Sequence, residues 1–488
     1  MAVSAVAWAD SGFGIRAGRL RGMAKPHVVV IGGGVAGLAA AAFLSDRPVR
    51  VTVLEASDRF GGKLRGGEVG GVRVDLGAES MLARRPEAVE LAQKVGLGEQ
   101  LEPPTTAKAS IWTREGLRSM PGGQLMGVPG DLDALKASGV LTPEGLERAV
   151  HEQPAEIGDD APIGAYIAAR LGREVVDRLV EPLLGGVYAG HADEISIRAA
   201  VPQLLALAQR DGSLTEAVRE LTGRSTATGP VFQGLRGGLG TFPDAIAAHD
   251  RAHGAELLTG HPVEALRRTP DGWQVTTGGR QLHADAVVLA VPAPHAAALL
   301  AADAPAAAAE LRGIEYASMA LVTLAFRRAD LADSPLVGSG FLVPPVDRRN
   351  IKASTFSSNK WGWLERSAPD TFLLRTSLGR HREGAALQLD DAELVARSLA
   401  DLQTAVGLRA TPYDHAVTRW TDGLPQYPVG HLDRVARIRT RLDALGGIAV
   451  CGAAYDGVGI PAVVASARRA AAVHPVTGTT RTEGTMGS

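Results

Sequence analysis

The chain of 488 residues is long enough for two or three domains. Hydrophobic residues make up 45% and charged residues 21%, which excludes disorder of the whole chain, and a formal net charge of -2 argues against a nucleic-acid partner. The single cysteine excludes a disulfide framework and a cysteine-rich metal site, so we predict no metal and a reducing, cytoplasmic location.

Both ends of the chain lack the patterns of folded elements. Residues 1–25 have no basic start of a signal peptide, and we predict a disordered leader with Met23 as an alternative start. Residues 475–488 are rich in Thr and Gly and predict a disordered tail. The longest uncharged apolar run, 28–44, is short for a membrane span and has glycines at its centre, so no transmembrane helix is predicted.

Continuous apolar runs predict buried parallel strands, and apolar residues at helical spacing predict helices. The predicted strands are 27–31, 49–54, 286–291 and 448–451, and the predicted helices are 35–45, 163–181 and 461–473. The helix 163–181 is either an ordinary core helix or a wall of a ligand pocket. It ends the acidic segment 131–181, with 11 Asp/Glu against 5 Lys/Arg, which favours at most loose contact with an anionic membrane.

The first strand runs directly into Gly32-x-Gly34-x-x-Gly37, followed by a helix, which is the context of a dinucleotide-binding turn. Gly32 permits the tight turn, Gly34 lets backbone approach a pyrophosphate, and Gly37 lets the helix pack against the strand. The helix N-terminus offers free N–H groups to the phosphates. The predicted phosphate-binding residues are Gly32, Gly33, Gly34, Val35, Ala36 and Gly37. The alternative interpretation is a coincidental glycine turn.

Glu55 follows the second predicted strand, and Ala56 comes next. A carboxylate at this place accepts hydrogen bonds from the adenosine ribose hydroxyls and disfavours the 2′-phosphate of NADP. We therefore predict that Glu55 and Ala56 bind the adenosine part of a dinucleotide.

The residues after Glu55 favour FAD over NAD. The stretch Arg59-Phe60-Gly61-Gly62-Lys63 resembles the R-x-G-G-R element of the large flavoprotein group that contains amine oxidases, phytoene desaturases and protoporphyrinogen oxidases, with Lys63 in place of the second arginine. The segment 74–80 is similar to that group's D-x-G strand and turn, which runs beside the flavin. The resemblance implies that Lys63, Gly77, Ala78, Glu79 and Ser80 bind FAD.

Distant segments agree with this resemblance. The strand and glycine-rich loop at 447–461 are similar to the group's closing segment, where a helix N-terminus faces the flavin N1/O2 edge and stabilises negative charge. The resemblance places Val458, Gly459 and Ile460 there, Val263 at the adenine and Trp420 near the flavin. Cys451 lies in an apparently buried strand, so the FAD is predicted to be non-covalent.

Three middle segments resemble the protoporphyrinogen/coproporphyrinogen oxidase family. They are 181–202, 355–375 and 420–431, and the whole resemblance runs from about 26 to 474. Within them, Pro182 to Gly190 is expected to be a turn that shapes the pocket, and His431 to be a structural histidine.

The resemblance implies an α/β fold with a discontinuous Rossmann-like FAD-binding domain, a mixed-sheet substrate domain and an inserted helical domain. The FAD-binding domain is of the amine-oxidase/p-hydroxybenzoate-hydroxylase-like type and comprises 26–85, 232–298 and 440–474. The substrate domain comprises 86–110, 206–231 and 299–439, and the helical domain comprises 111–205.

The implied reaction is oxidation of coproporphyrinogen III to coproporphyrin III, with O2 as acceptor and H2O2 as product. The implied partners are the porphyrinogen, O2 and a handover protein in haem biosynthesis, and the chain is expected to be a monomer or homodimer. The cofactor carries this reaction, and no acid–base pair is predicted. Protoporphyrinogen IX oxidation and FAD-dependent amine oxidation remain as alternatives.

Overall fold

The computed structural model describes residues 25–210, 212–223, 229–334 and 336–474. The predicted disordered leader, apart from Lys25, and the predicted disordered tail lie outside these residues. Within the described ranges, no helix is long and apolar enough to cross a membrane.

A five-stranded parallel sheet lies at the centre of the predicted nucleotide-binding region. Its strands, in spatial order, are Glu256–Leu258, Arg50–Leu54, His27–Ile31, Ala286–Leu289 and Ile448–Val450. Their apolar residues are buried on both sides, because packed elements cover both faces. The four strands predicted from the sequence are all present, and they come from three distant stretches of the chain.

The two faces of this sheet carry different layers. One face packs against helices Val35–Leu44, Glu87–Lys94, Phe242–Ala252 and Ile460–Ala470. The other packs against helices Ala293–Leu300, Pro305–Arg312 and His431–Asp443 and against the antiparallel strands Val263–Thr269, Gly272–Thr277 and Arg280–Ala284.

A seven-stranded mixed sheet forms the second large layer, here called the large sheet. Its strands, in spatial order, are Asp414–Pro425, Tyr316–Arg327, Thr371–Leu378, Ile351–Thr355, Gly340–Leu342, Ala109–Thr113 and Gly116–Ser119. Neighbouring strands are antiparallel, except that Gly340–Leu342 and Ala109–Thr113 are parallel. Helix Asp391–Val406 packs against one face, where alternate residues of the strands form a core. The opposite face is called the open face below.

A helical region lies beside the large sheet. Its helices are Leu132–Ser138, Pro143–Val150, Ile163–Leu171, Arg173–Val175, Glu181–Tyr188, Ile197–Ala200, Pro202–Ala208 and Leu214–Gly223, with a π-helical turn over Val176–Val180. The predicted helix 163–181 is interrupted at Gly172, which has φ +97°. The predicted turn from Pro182 to Gly190 is wrong, because Glu181–Tyr188 is helical and Pro182 sits in the first helical turn, where proline is tolerated.

Short elements complete the described chain. They are strands Gly66–Val69, Val72–Asp75, Met81–Leu82, Leu101–Glu102, Gln124–Leu125, Val128–Pro129 and Phe232–Leu235, helices Ser357–Lys360 and Gly362–Ser367, and 3₁₀ turns Gly98–Gln100, Leu239–Thr241, Arg328–Leu331, Pro345–Asp347 and Gly384–Gln388.

The predicted domain limits stay a prediction, although the structure places some segments differently. The limit between 110 and 111 falls inside strand Ala109–Thr113, and the next strand, Gly116–Ser119, also belongs to the large sheet. Helix His431–Asp443, assigned to the substrate domain, packs against the parallel sheet. Helix Leu214–Gly223 contributes to the core of the helical region. Sequence periodicity marks elements, but it does not mark which layer an element joins.

Candidate functional site

Gly32 and Gly37 of the predicted phosphate turn are required by neighbouring backbone atoms. Gly32 has φ +104°, and a Cβ there would lie 2.7 Å from the Ala290 carbonyl oxygen. A Cβ on Gly37 would overlap the Gly32 carbonyl oxygen. These positions therefore explain the tight turn and the close approach of helix to strand.

Gly34 differs from both, because nothing in the described protein requires a glycine there. Its φ of -68° and ψ of 176° are open to any residue, and a Cβ would meet only the Gly62 Cα at 4.0 Å. The space in front of Gly34 is open and faces the helix N-terminus. It is a cradle of the kind that a pyrophosphate fills, so the residues present fit a dinucleotide.

Two helices that pack against each other beside this space begin without side-chain caps. Helix Val35–Leu44 begins after Gly34, and helix Ile460–Ala470 begins after Gly459. The loop that leads to the second helix lies close to the first helix, because a Cβ on Gly452 would lie 3.8 Å from the Ala36 Cβ. Free N–H groups and the helix dipole give both ends a partial positive charge. The arrangement suits a ligand that carries negative charge at two places.

Glu55 lies at the edge of the cradle. Its Oε2 accepts a hydrogen bond from the Gly33 N–H (2.6 Å), and its Oε1 accepts from the Ser57 N–H (2.8 Å) and hydroxyl (2.7 Å). A carboxylate has lone pairs to spare for a ribose hydroxyl. The His261 N–H donates to the Glu55 carbonyl (2.8 Å), which brings the half-buried Val263 to the same end of the site.

Lys63, Gly77 and Trp420 meet at another part of the site. A Cβ on Gly77 would overlap the Lys63 carbonyl and would lie 3.2 Å from Trp420 Cζ2. The Trp420 indole N–H donates to the Leu76 carbonyl (3.1 Å), which fixes the ring beside this turn. The structure therefore brings Trp420 to two residues that precede it by more than 300 positions.

Lys63 lies beside the turn that carries Gly77. It is accessible to solvent, yet the protein surrounds it enough that desolvation lowers the pKa of its ammonium to about 8. It makes no ion pair or hydrogen bond with any described residue. An unpaired cation in the predicted cofactor cleft is available to a negatively charged ligand.

Glu79 is engaged by protein groups. Lys360 Nζ lies 2.7 Å from its Oε1 and Arg375 Nε lies 3.2 Å from its Oε2. Although burial alone raises the pKa of this carboxyl, the charges of Arg375 and Lys360 lower it to about 2. Arg375 also donates to the Gly77 carbonyl (2.7 Å). Glu79 thus anchors the turn that carries Gly77 and the exposed Ala78.

Asp75, at the start of the same turn, holds the preceding segment in place. It accepts hydrogen bonds from the N–H groups of Leu239 (2.9 Å) and Gly240 (2.7 Å). Burial raises the pKa of its carboxyl to about 6. The spacing within 74–80 indicated the turn, but no sequence signal indicated this partner.

Tyr427 holds the glycine-rich loop within 447–461, called the closing loop below, in place. The sequence did not predict this role. Its hydroxyl bonds the Ala453 carbonyl and accepts from the Gly457 N–H (2.8 Å). His431 stacks on the Tyr427 ring, with centroids 4.0 Å apart, and is buried. The geometry agrees with a structural role for His431, and burial lowers the pKa of its imidazole to about 4.

This geometry fits a dinucleotide-binding protein, and comparisons with known proteins give the family. The chain belongs to the flavin containing amine oxidoreductase family, which it matches over residues 35–473. A second family, alanine dehydrogenase/PNT C-terminal domain, matches residues 1–67, which include the glycine turn.

Curated relatives match the chain almost end to end. The chain is 37% identical to the coproporphyrinogen III oxidase of Mycobacterium leprae, over 92% of this chain and 98% of the relative. It is 31% identical to the coproporphyrinogen III oxidase of Bacillus subtilis, over 90% and 95%.

Solved structures share the fold. A protein from Exiguobacterium sp. 255-15, assigned as protoporphyrinogen oxidase, superimposes with a TM-score of 0.82 at 34% identity, covering 92% of this chain and 98% of that chain. Putrescine oxidase superimposes with a TM-score of 0.63 at 18% identity, over 92% and 98%, which shows the fold alone. The predictions of family, fold class and FAD as cofactor are confirmed.

Proposed function

We propose that the protein oxidises coproporphyrinogen III to coproporphyrin III with FAD as cofactor, O2 as acceptor and H2O2 as product. One observation carries the proposal: relatives named for this activity match about nine-tenths of the chain. The family match over residues 35–473 includes 181–202, 355–375 and 420–431. These segments supply helix Glu181–Tyr188, the two cations that bind Glu79, and Tyr427, which bonds the Gly457 N–H.

We propose the following FAD contacts, which the cradle and the uncapped helices support. They are Gly32, Gly33, Gly34, Val35, Ala36, Gly37, Glu55, Ala56, Lys63, Gly77, Ala78, Glu79, Ser80, Val263, Trp420, Val458, Gly459 and Ile460. In this set Glu79 acts through the backbone of its turn, because both of its oxygens are already paired.

The chemistry that FAD supplies when bound is to accept a hydride from a bridging carbon of the porphyrinogen. The protein's own part is to bind and orient. The N-terminus of helix Ile460–Ala470 and the Lys63 ammonium favour negative charge nearby. Trp420 is held beside Gly77 by its indole N–H. We assign no general acid or base.

The test compares three substrate classes on the flavin-loaded protein. Coproporphyrinogen III, protoporphyrinogen IX and a panel of amines are each mixed anaerobically, and flavin bleaching is followed before oxygen is admitted. We expect the fastest bleaching with coproporphyrinogen, then O2 uptake, peroxide and porphyrin fluorescence. Faster turnover of protoporphyrinogen would change the assigned substrate to protoporphyrinogen IX. Flavin bleaching by amines alone would overturn the proposal.

The cellular setting is part of the same proposal. We propose a cytoplasmic monomer or homodimer with at most loose membrane contact, which passes its product to a later enzyme of haem biosynthesis. The acidic segment 131–181 supports weak membrane affinity, because anionic headgroups repel it. Flotation with anionic vesicles and light scattering test these points, and firm co-flotation would contradict them.

A further inference from the structure

Helix Glu181–Tyr188 lies against the large sheet, on the side opposite the packed core. A Cβ on Gly186 would lie 3.9 Å from the Leu342 side chain. Leu342 points to the open face, because the residues on either side of it in the chain both belong to the core. The helix is part of a segment that resembles the porphyrinogen-oxidising family, so the contacts that hold it bear on the proposed substrate site.

The C-terminal end of this helix is bonded to two other parts of the chain. The Gln426 side-chain amide donates to the Tyr188 carbonyl (2.8 Å). The His381 N–H donates to the Ala189 carbonyl (2.6 Å). The Tyr188 ring also lies 5.6 Å, between centroids, from the ring of Tyr427, whose hydroxyl holds the closing loop. A movement of the helix end would therefore be transmitted to the closing loop through these two rings.

His191, in the loop after the helix, has both ring nitrogens facing oxygen atoms that only accept hydrogen bonds. Its Nδ1 lies 3.1 Å from a carboxylate oxygen of Glu181, which is in the first turn of the helix. Its Nε2 lies 3.1 Å from the carbonyl oxygen of His381. A neutral imidazole has one N–H and satisfies one of these contacts, whereas an imidazolium satisfies both. The geometry therefore fits the charged form of His191.

The oxygen atoms that face His191 are held in place by other contacts. The second oxygen of Glu181 accepts from the Ala192 N–H (2.6 Å). His381 is buried, and its two ring nitrogens lie 3.3 Å from Glu194 and 3.0 Å from Glu315. The charged and titratable groups around these contacts are Glu194, Glu315, Arg380, His381, Arg382 and Glu383. Because the oxygens are fixed, a His191 that loses a proton keeps a lone pair directed at one of them.

The direction of the pH dependence follows from these contacts. The hydrogen bond to Glu181 raises the pKa of the His191 imidazole above its ordinary value, and partial burial opposes it. A group whose folded-state pKa is raised contributes stability that is complete below its ordinary value, about 6.5 for histidine. The contribution of His191 is therefore lost as pH rises through the raised value.

We propose that His191, as an imidazolium, is a positioning residue that holds the end of helix Glu181–Tyr188 against the large sheet. Through Tyr188 and Tyr427 it also sets the closing loop. Its effect on the cofactor rests on the proposed FAD contacts, and its effect on the porphyrinogen rests on the proposed function. When His191 loses its proton, the helix end loosens, and the protein binds FAD and the porphyrinogen more weakly.

The experiment measures hydrogen exchange of helix Glu181–Tyr188 in the flavin-loaded protein by mass spectrometry. It is done at about pH 6 and about pH 9, with rates corrected for the intrinsic exchange at each pH, and FAD is titrated into the apoprotein at the same pH values. Because the pKa of Lys63 is about 8, each variant is compared with the wild type at the same pH.

Two variants of His191 separate its charge from its presence. His191→Gln is neutral at both pH values, and His191→Lys keeps a positive charge at both. His151→Gln is the matched control, because His151 is an exposed histidine of the helical region whose Nδ1 faces a backbone carbonyl.

At about pH 6 we expect the helix to exchange about tenfold faster in His191→Gln than in the wild type, since a hydrogen bond between charged groups is lost. This variant should also bind FAD more weakly, and its KM for coproporphyrinogen should rise by a larger factor than its kcat falls. At about pH 9 the wild type should match it. His191→Lys should keep slow exchange at both pH values, and His151→Gln should follow the wild type.

A ratio of His191→Gln to wild-type exchange that does not change with pH would overturn the inference, and so would equal effects of His191→Gln and His151→Gln. If His191→Gln does not fold, the comparison of His191→Lys with the wild type at about pH 9 decides, because only the variant should then protect the helix. Exchange and FAD titration involve no substrate. A wild type that passes them but does not oxidise coproporphyrinogen would overturn the proposed function alone.

Discussion

Replacing Gly34 with valine separates the two reasons for which a glycine is present in such a turn. Gly32 and Gly37 are required by neighbouring backbone atoms, whereas a Cβ on Gly34 has open space before it. The backbone at Gly34 lies in a region open to all residues. A Gly34→Val variant should therefore fold, and its side chain should occupy the place of the cofactor's pyrophosphate.

The expected magnitudes follow from the helix that begins after Gly34. Valine is a poorer N-cap than glycine, which costs about 1 kcal/mol of stability. A charge-assisted hydrogen bond contributes about 1.5–3 kcal/mol, so losing two such bonds from the helix N-terminus to phosphate costs about 3–6 kcal/mol. FAD binding should then weaken by more than about 100-fold.

The assay combines FAD titration of the apoprotein with denaturant unfolding. Gly34→Val should give a cooperative, colourless protein that FAD does not turn yellow. Gly37→Ala is the matched control: its Cβ overlaps a backbone oxygen, and it should lose about 3 kcal/mol of stability or more. Yellow, flavin-loaded Gly34→Val protein would refute the reasoning, and so would an unfolded Gly34→Val beside a stable Gly37→Ala.

Three further predictions concern single groups. Because the folded-state pKa of Glu79 is about 2 and the ordinary value is about 4.3, its contribution is fully present above pH 5 and is lost as pH falls towards 2. Glu79→Gln should thus be less stable than wild type at pH 7 by about 3 kcal/mol, with a smaller difference at pH 4; a constant difference would contradict this. Tyr427→Phe should weaken FAD binding about tenfold, because the Gly457 N–H loses its partner, whereas Tyr188→Phe should not, and equal FAD affinities would argue against the loop anchor. Acid precipitation should release all FAD from the protein, because the Cys451 thiol is buried with its pKa raised to about 12; retained flavin would show a covalent link.

The parallel strands and the glycine turn were predictable because their signals are local. Four of the five strands were predicted as apolar runs, and each of the four ends within two residues of its predicted limits; Glu256–Leu258 was not predicted. The steric reasons predicted for Gly32 and Gly37 are present in the structure. The prediction for Pro182 failed because proline is compatible both with a turn and with the first turn of a helix, and only packing decides between them.

Partners that act across the chain left no local signal. Asp75 caps a backbone turn 164 positions away, and Tyr427 bonds a loop 30 positions away. Aspartate and tyrosine side chains have many roles at protein surfaces. An aspartate or a tyrosine at one position therefore does not predict a hydrogen-bond partner far along the chain.

The Glu79 network explains why segments far apart belong to one signature. Glu79 follows the strand Val72–Asp75, whereas Lys360 and Arg375 belong to the large sheet and its helical connection. The buried carboxylate is compensated only when both parts are assembled, since a lone buried charge is strongly destabilising. Arg375 also bonds the Gly77 carbonyl, so the turn proposed to lie beside the flavin takes its position from the large sheet. A substitution in that sheet therefore reaches the cofactor through one arginine.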